Sequence, residues 1–166
     1  ELHKDQDAVD LGRRLFLNYC AGCHGSDARG ATGFPNLADN DWLYGGTPDA
    51  IKTSIAAGRS GAMPPMGAAL GEEGTNEVIA YVLSLSGNNV DNDLATKGQA
   101  RFALCAACHG MDGKGNPALG APNLTDDIWL FGKSEEDLRT SINIGRNGQM
   151  PAHADLLGSD KVHLLT

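Results

Sequence analysis

The chain has 166 residues, with 13 Lys and Arg against 21 Asp and Glu, which gives a formal net charge of −8 at pH 7. Hydrophobic residues make up 41% and charged residues 20%, a composition typical of a folded globular protein and unlike that of a disordered chain. No apolar run approaches the roughly 18 residues that a membrane-spanning helix needs, and residues 1–10 lack the layout of a signal peptide. The acidic balance argues against nucleic-acid binding and favours a basic partner.

The first half of the chain contains three predicted helices. Residues 7–19 place Val9, Phe16 and Tyr19 near one face at helical spacing. A second helix is predicted to begin at Thr47, followed by Pro48, and to end at Gly58, because these residue types favour those helix termini. A third helix is predicted over residues 76–86.

The second half contains matching signals. Ser134, followed by three acidic residues, predicts a helix start, and Gly145 predicts its end. A final helix is predicted to begin near Ser159 and to be cut off at Thr166, the last residue of the sequence.

These matches belong to an internal repeat that covers most of the chain. Cys-x-x-Cys-His occurs at residues 20–24 and again at 105–109, and Pro-Asn-Leu and Trp-Leu-aromatic-Gly follow each copy. Further on, Gly-Arg-x-Gly-x-Met-Pro occurs at residues 58–64 and 145–151, an offset of 87. Self-similarity of this kind indicates one structural unit present twice.

The polar, Gly/Asn/Asp-rich residues 86–93 are typical of a linker. We therefore predict an all-α protein of two tandem domains, 1–87 and 88–166, joined by this short polar linker, with the C-terminal helix of the second domain truncated. A hydrophobic core alone is marginal for units of about 80 residues, which often recruit a metal or cofactor.

The duplicated Cys-x-x-Cys-His motif is the strongest chemical signal. Two cysteines three residues apart project from one side of a helical turn and reach one flat ligand, while the adjacent histidine approaches the metal of that ligand along its normal. This is the attachment pattern of c-type haem. The pattern predicts two covalently attached haems, held by Cys20, Cys23, His24, Cys105, Cys108 and His109.

Other readings of four cysteines explain less. An all-cysteine zinc site would need two pairs much closer in sequence than the observed spacing of 85, and it gives no reason for a histidine after each pair. A thioredoxin-like redox pair needs a βαβ setting, and no strand pattern surrounds either motif. Structural disulfides would more often show varied spacings.

Met63 and Met150 are the expected second axial ligands, so the predicted iron ligands are His24 and Met63 in one repeat and His109 and Met150 in the other. A thioether opposite an imidazole raises the reduction potential, and a six-coordinate iron leaves electron exchange as its one task. No catalytic residue is expected. Met66 is a rival for Met63, and His153, at the position equivalent to Met66, is a rival for Met150.

Several residues near the motifs have two open interpretations. Arg59 and Arg146 either pair with haem propionates or stabilise the loop. Trp42 and Trp129 either pack on the haem or belong to the core. The prolines that follow each haem motif, Pro35 and Pro122, are expected to shape the loop on the histidine side, where a backbone carbonyl holds the imidazole N–H. Gly12 and Gly98 are expected to permit a close helix crossing.

These motifs resemble those of a known family. Each repeat looks like a class I cytochrome c domain, with an N-terminal helix, Cys-x-x-Cys-His, a methionine loop and a C-terminal helix. The tandem, with Trp-Leu-x-Gly followed by Gly-Arg-x-Gly-x-Met-Pro, is similar to the dihaem subunit III (FixP-like) of bacterial cbb3-type cytochrome c oxidases, over nearly the whole chain.

The resemblance implies a periplasmic subunit that takes electrons from donor cytochrome c and passes them through two haems to other subunits of a membrane oxidase. In that family an N-terminal membrane helix, absent from this chain, provides the anchor. A free dihaem carrier of the cytochrome c4 type is the main alternative, and a dihaem peroxidase, which needs an open iron position, is a further one.

Overall fold

The structure is a computed structural model that describes residues 2–166, so Glu1, the first residue of the predicted domain 1–87, lies outside the described residues. A 3₁₀ turn at Leu2–Lys4 comes first. The helices that follow are α1 (Gln6–Tyr19), α2 (Ala21–His24), α3 (Pro48–Ala57), α4 (Gly67–Leu85), α5 (Asn92–Arg101), α6 (Ala103–His109), α7 (Glu135–Ile144) and α8 (Ala154–Leu165). Two short strands are β1 (Arg59–Met63) and β2 (Arg146–Met150).

The helices with clear terminal residues are confirmed. The Thr47 side chain accepts a hydrogen bond from the Ala50 N–H at the start of α3, and Gly58 ends that helix. Ser134 and Asp137 cap the start of α7 reciprocally, and Gly145 ends it. Local hydrogen-bonding chemistry decides these boundaries, so sequence alone was enough to find them.

The two C-terminal helices begin earlier than predicted. α4 begins at Gly67 instead of residue 76, and α8 begins at Ala154 instead of near Ser159. Each contains a kink at a glycine with positive φ, +69° at Gly71 and +73° at Gly158. The kink separates a first turn, which has no sequence periodicity of its own, from the longer helical run that the pattern detects.

The all-α prediction is correct only in part. Helices predominate, but β1 and β2 form a two-stranded sheet, and short isolated bridges join Ala31 to Phe34 and Asn116 to Ala121. The strand sequences Arg-Ser-Gly-Ala-Met and Arg-Asn-Gly-Gln-Met lack the alternation of apolar and polar residues that predicts a strand. Their backbone pairing therefore left no signal in the sequence.

The described residues form two compact units. Unit 1 consists of the described residues up to Ser60 together with Gly148–Thr166, and unit 2 consists of Gly61–Asn147. The boundaries between these units lie after Ser60 and after Asn147, whereas the sequence repeat itself changes over near residue 87. Each unit combines the N-terminal part of one sequence repeat with the C-terminal part of the other.

In unit 1, α8 packs against α1 and α3. Gly12 lies at the crossing with α8, where a Cβ atom would come 2.7 Å from the carbonyl oxygen of Leu164. Only a residue without a side chain permits so close an approach. Leu15, Leu157 and Val162 are the buried apolar residues around these helices.

In unit 2, α4 packs against α5 and α7. Gly98 lies at the equivalent crossing, where a Cβ atom would overlap the carbonyl group of Glu77. The predicted role of both glycines in a close helix crossing is thus confirmed. The buried core of this unit consists of Leu70, Val78, Ile79, Val82, Phe102, Leu138 and Ile142.

Within residues 2–166, none of the helices combines the length and the apolar composition required to cross a membrane.

Candidate functional site

The two Cys-x-x-Cys-His motifs occupy equivalent places, one in each unit. The first forms the end of α1 and the short helix α2, and the second lies in α6. Both histidines are buried, at 8% exposure. In each motif the first cysteine is partly buried and the second is exposed, and all four thiols are free.

Each histidine ring is held by a proline carbonyl. His24 Nδ1 lies 3.0 Å from the Pro35 carbonyl oxygen, and His109 Nδ1 lies 3.1 Å from that of Pro122. A carbonyl accepts only, so Nδ1 must carry the proton and donate it. The expected role of both prolines is confirmed, and Nε2 of each imidazole is left with its lone pair available to a metal.

A tight loop presents each proline carbonyl. Gly30 N–H donates to the His24 carbonyl at 2.7 Å, and Gly115 N–H donates to the His109 carbonyl at 2.8 Å. Both glycines have positive φ, and a Cβ at either position would collide with the backbone leading to the proline. The loop in unit 2 is two residues longer, yet it delivers its carbonyl to the same ring atom.

Burial also marks the first cysteine of each motif. It raises the pKa of the Cys20 thiol, and the nearby Cys23 raises it further. The pKa of the Cys105 thiol is raised by burial and by Cys108 in the same way. The two thiols of each motif therefore differ in environment, one facing the interior and one facing solvent.

Met63 and Met150 do not lie in the same compact units as the histidines of their own sequence repeats. Residues 150–153 pack on the end of α3, where the His153 N–H donates to the Ile55 carbonyl at 3.0 Å, so Met150 belongs to unit 1 with His24. Met63 packs against the core of unit 2 alongside Cys105. Each methionine therefore shares a compact unit with the histidine of the other sequence repeat, Met150 with His24 and Met63 with His109.

The two rival ligands occupy equivalent positions. The Met66 N–H donates to the Ile142 carbonyl at 2.7 Å, as His153 does to Ile55, and the Met66 side chain packs against the core of unit 2. His153 Nδ1 is buried and has no hydrogen-bond partner among the described residues. His153 lies in unit 1, as does His24.

The two arginines of the methionine segments contact their own units. Arg59 donates from Nε to Ser54 Oγ at 2.8 Å and from Nη2 to the Ala50 carbonyl at 3.3 Å. Its guanidinium lies 4.6 Å from the centre of the Tyr44 ring.

Arg146 repeats these contacts in unit 2. Its Nε donates to Ser141 Oγ at 2.8 Å, its Nη2 donates to the Asp137 carbonyl at 3.2 Å, and it lies over Phe131 at 4.5 Å. Arg59 and Arg146 are the first residues of β1 and β2, and each holds its strand to the helix that precedes it. The sequence predicted this stabilising role only as one of two alternatives.

A further buried polar group, on Trp129, also fits a bound haem. The indole N–H of Trp129 is buried and has no acceptor among the described residues, although its ring packs on the core of unit 2. A buried donor of this kind is costly unless a partner is present. Together with free thiols and imidazoles whose Nε2 is available, it fits a haem with acidic substituents.

Zinc is a poorer fit to the same residues. Over residues 2–166, no three His, Cys, Asp or Glu side chains are grouped so that they could hold a metal ion. The two cysteine pairs lie in different compact units.

Comparison with known proteins decides the family. A sequence profile described as cytochrome c oxidase, cbb3-type, subunit III matches residues 7–82 and 93–165. The chain belongs to this family. Both cytochrome c segments of the family are thus present, and each segment covers one sequence repeat.

Individual members of the family agree with the profile. The cbb3-type cytochrome c oxidase subunit CcoP of Rubrivivax gelatinosus is 54% identical over 99% of this chain and 54% of its own length. Subunit FixP of Rhizobium meliloti (strain 1021) is 44% identical over 96% of this chain and 59% of its own length. Subunit CcoP of Rhodobacter capsulatus is 44% identical over 86% of this chain and 52% of its own length.

The chain therefore spans between half and three fifths of the length of these curated relatives. As a pair of cytochrome c domains of the subunit III family, it binds two covalently attached c-type haems.

Proposed function

We propose that this chain is the dihaem electron-transfer part of a cbb3-type terminal oxidase. It accepts electrons from a donor cytochrome c and relays them through two haems towards the oxygen-reducing subunit. The observation that carries the proposal is the repeated arrangement of a proline-held histidine beside two free cysteines, with Met150 in the unit of His24 and Met63 in the unit of His109. A bound c-type haem supplies a one-electron iron couple.

The proposed attachment residues are the four cysteines. Cys20 and Cys23 hold one haem, and Cys105 and Cys108 hold the other. The proline carbonyls fix the tautomer in which Nε2 of His24 and of His109 is the donor to iron, and this hydrogen bond keeps each ring in one orientation.

We further propose that the second axial ligands come from across the repeats. Met150 serves the iron of His24, and Met63 serves the iron of His109, because each lies in the same compact unit as that histidine. Haems held in this way by a histidine and a methionine would supply one-electron chemistry and leave no open iron position for a substrate.

The proposed partners follow from family and charge. Other subunits of the oxidase receive the electrons, and the net charge of −8 suits a donor cytochrome with a basic docking face, because opposite fields accelerate encounter. The proposed location is the periplasmic side of the bacterial inner membrane, with attachment through a helix outside this chain.

Proteins with a single haem test the axial ligands. In a variant in which Ser replaces Cys105 and Cys108, the haem is attached only beside His24. Met150→Leu should then abolish the near-infrared sulfur–iron charge-transfer band, and Met63→Leu should leave it. The opposite result would restore the within-repeat combination.

The mirror variant, with Ser at Cys20 and Cys23, should show the reverse dependence on the two methionines.

Reduced two-haem protein should bind carbon monoxide slowly or not at all. Rapid stoichiometric binding would contradict closed axial positions and favour a peroxidase.

A further inference from the structure

The helix crossings of the two units can be compared residue by residue. Gly12 meets the carbonyl of Leu164, and Gly98 meets the carbonyl of Glu77. Glu77 and Leu164 are also 87 residues apart, the offset of the repeat at this point. At the offset of 86 that relates Gly12 to Gly98, Arg101 on α5 is equivalent to Leu15 on α1.

Unit 2 has an ion pair at this crossing, formed by a buried carboxylate and a partly exposed arginine. The side chain of Glu77 is 2% exposed, that of Arg101 is 42% exposed, and Arg101 Nε donates to Glu77 Oε2. The equivalent positions of unit 1 are both leucines, of which Leu15 is buried. The equivalent pair of positions is therefore ionic in one unit and apolar in the other.

Space for the arginine comes from a glycine on α4. A Cβ at Gly74 would lie 3.2 Å from both Cδ and Nη1 of Arg101. The residue of α8 equivalent to Gly74 is Lys161. The position of α8 equivalent to this glycine thus carries a long cationic side chain instead.

A neighbouring contact is also polar in unit 2 and apolar at the equivalent positions of unit 1. Thr75 is 1% exposed, and its hydroxyl lies 2.8 Å from the Gly71 carbonyl and 3.4 Å from Asn143 Oδ1 of α7. The residues of unit 1 equivalent to Thr75 and Asn143 are Val162 and Ala56, both apolar.

The alternative arrangement, in which each repeat folds on itself, mismatches these residues. α4 on α1 would bury Glu77 against Leu15 without a cation, and an unpaired buried carboxylate is strongly destabilising. α8 on α5 would bring Lys161 and Leu164 against Arg101, with like charges in contact and no acceptor.

We propose that Glu77 and Arg101, with Gly74 and Lys161, determine which C-terminal helix packs on which N-terminal helix, and so direct the exchange of helices between the repeats. A buried ionic group that selects one arrangement over a nearly equivalent one is a recognised use of such pairs. The inference concerns helix packing and holds whichever side chains ligate iron.

The test moves the arginine partner of Glu77 from α5 to α1. Leu15→Arg combined with Arg101→Leu places the partner of Glu77 on α1. Holoprotein with a protease site inserted between Asn88 and Asn89 is cut in the linker and passed over a native sizing column. The two fragments of the parent should stay associated until they unfold, because each fragment contributes to both units.

In the moved-cation variant the fragments should separate, with a rise of at least about tenfold in the separated fraction. A matched control relocates the whole pair to unit 1, with Glu77→Leu, Arg101→Leu, Leu15→Arg, Leu164→Glu and Lys161→Gly. The fragments of this control should stay associated, as in the parent.

A further variant decides the matter if the moved-cation protein does not fold. Glu77→Leu with Arg101→Leu makes both crossings apolar, and a mixture of associated and separated fragments is expected. Full association of the cut fragments in either variant, or separation in the parent, would overturn the proposal.

Discussion

Unit 1 and unit 2 carry the same motif but stabilise it differently away from the site. The histidine–proline contact is 3.0 Å in one and 3.1 Å in the other, and Arg59 and Arg146 make matching contacts. The helix crossings differ, because Glu77 and Arg101 in unit 2 stand where unit 1 has leucines. The two units share the contacts around the histidine and around strands β1 and β2. They differ in the residues at the crossing between the N-terminal and the C-terminal helix.

The units also differ at one helix start. In unit 2, Ser134 and Asp137 form a reciprocal cap at α7, in which the carboxylate accepts from the Ser134 N–H at 3.1 Å and from its hydroxyl at 2.6 Å. In unit 1, Thr47 caps α3 alone, because the position equivalent to Asp137 is Ala50. This difference adds a charge to one copy only.

The largest expected effect comes from adding a methyl group at the helix crossings. Gly98→Ala should lower the free energy of unfolding by about 3 kcal/mol and Gly12→Ala by about 1 kcal/mol. At Gly98 the new Cβ overlaps the Glu77 carbonyl group and comes 2.9 Å from Tyr81 Cβ, whereas at Gly12 it meets the Leu164 carbonyl oxygen at 2.7 Å. Denaturant unfolding of the holoprotein measures both.

Gly22→Ala is the matched control. No atom lies within 4 Å of a Cβ at Gly22, and the equivalent residue of the other repeat is already Ala107. It should change stability by less than about 0.5 kcal/mol. Equal losses at Gly98 and Gly12 would show that the two crossings are not packed differently.

Replacing the arginine at the start of β1 or of β2 should reduce stability by the same amount in the two units. Arg59→Lys and Arg146→Lys should each cost about 1–2 kcal/mol, because a lysine does not reproduce two hydrogen bonds from a planar fork together with stacking on an aromatic ring. Thermal and denaturant unfolding of each holoprotein variant provide the measurement. A difference above about 1 kcal/mol between the two would mean that one arginine has another role.

A structural feature of this protein can be predicted from the sequence when the residues that determine it lie close together in the chain. The starts of α3 and α7 follow from Thr47 and Ser134, because a cap acts within one turn. The roles of Pro35 and Pro122 follow from the repeat and the chemistry of histidine. Each of these needs residues that lie close together in the chain.

The grouping into units is not local. Repetition indicates that two helix crossings exist, but it does not indicate which copy of the C-terminal helix makes each crossing. The signal was present in Glu77, a carboxylate directly before the apolar run Val78-Ile79-Ala80, and in Arg101, which replaces a leucine of the first repeat. Comparing charges at equivalent positions, instead of identities alone, would have related α4 to α5.

The smallest predicted effect concerns the acidic cap of unit 2 and depends on pH. Hydrogen bonds from the Ser134 side chain and backbone, with a smaller contribution from the charge of Arg146, lower the pKa of Asp137. A carboxyl whose pKa is lower in the folded state stabilises that state above its unfolded pKa of about 3.9, and the contribution is lost as the pH falls through the folded value. Asp137→Ala should therefore reduce stability at pH 7 and have progressively less effect as the solution is acidified.

The comparison of units supplies the reverse experiment for this cap. Ala50→Asp places a carboxylate beside Thr47, at the same position in α3, and should raise stability at neutral pH with the same loss in acid. Unfolding of the parent, Asp137→Ala and Ala50→Asp across a pH series measures both changes. If the effect of Asp137→Ala were constant from neutral to acidic pH, its origin would be helix propensity and not the charge, and the reciprocal cap would contribute through shape alone.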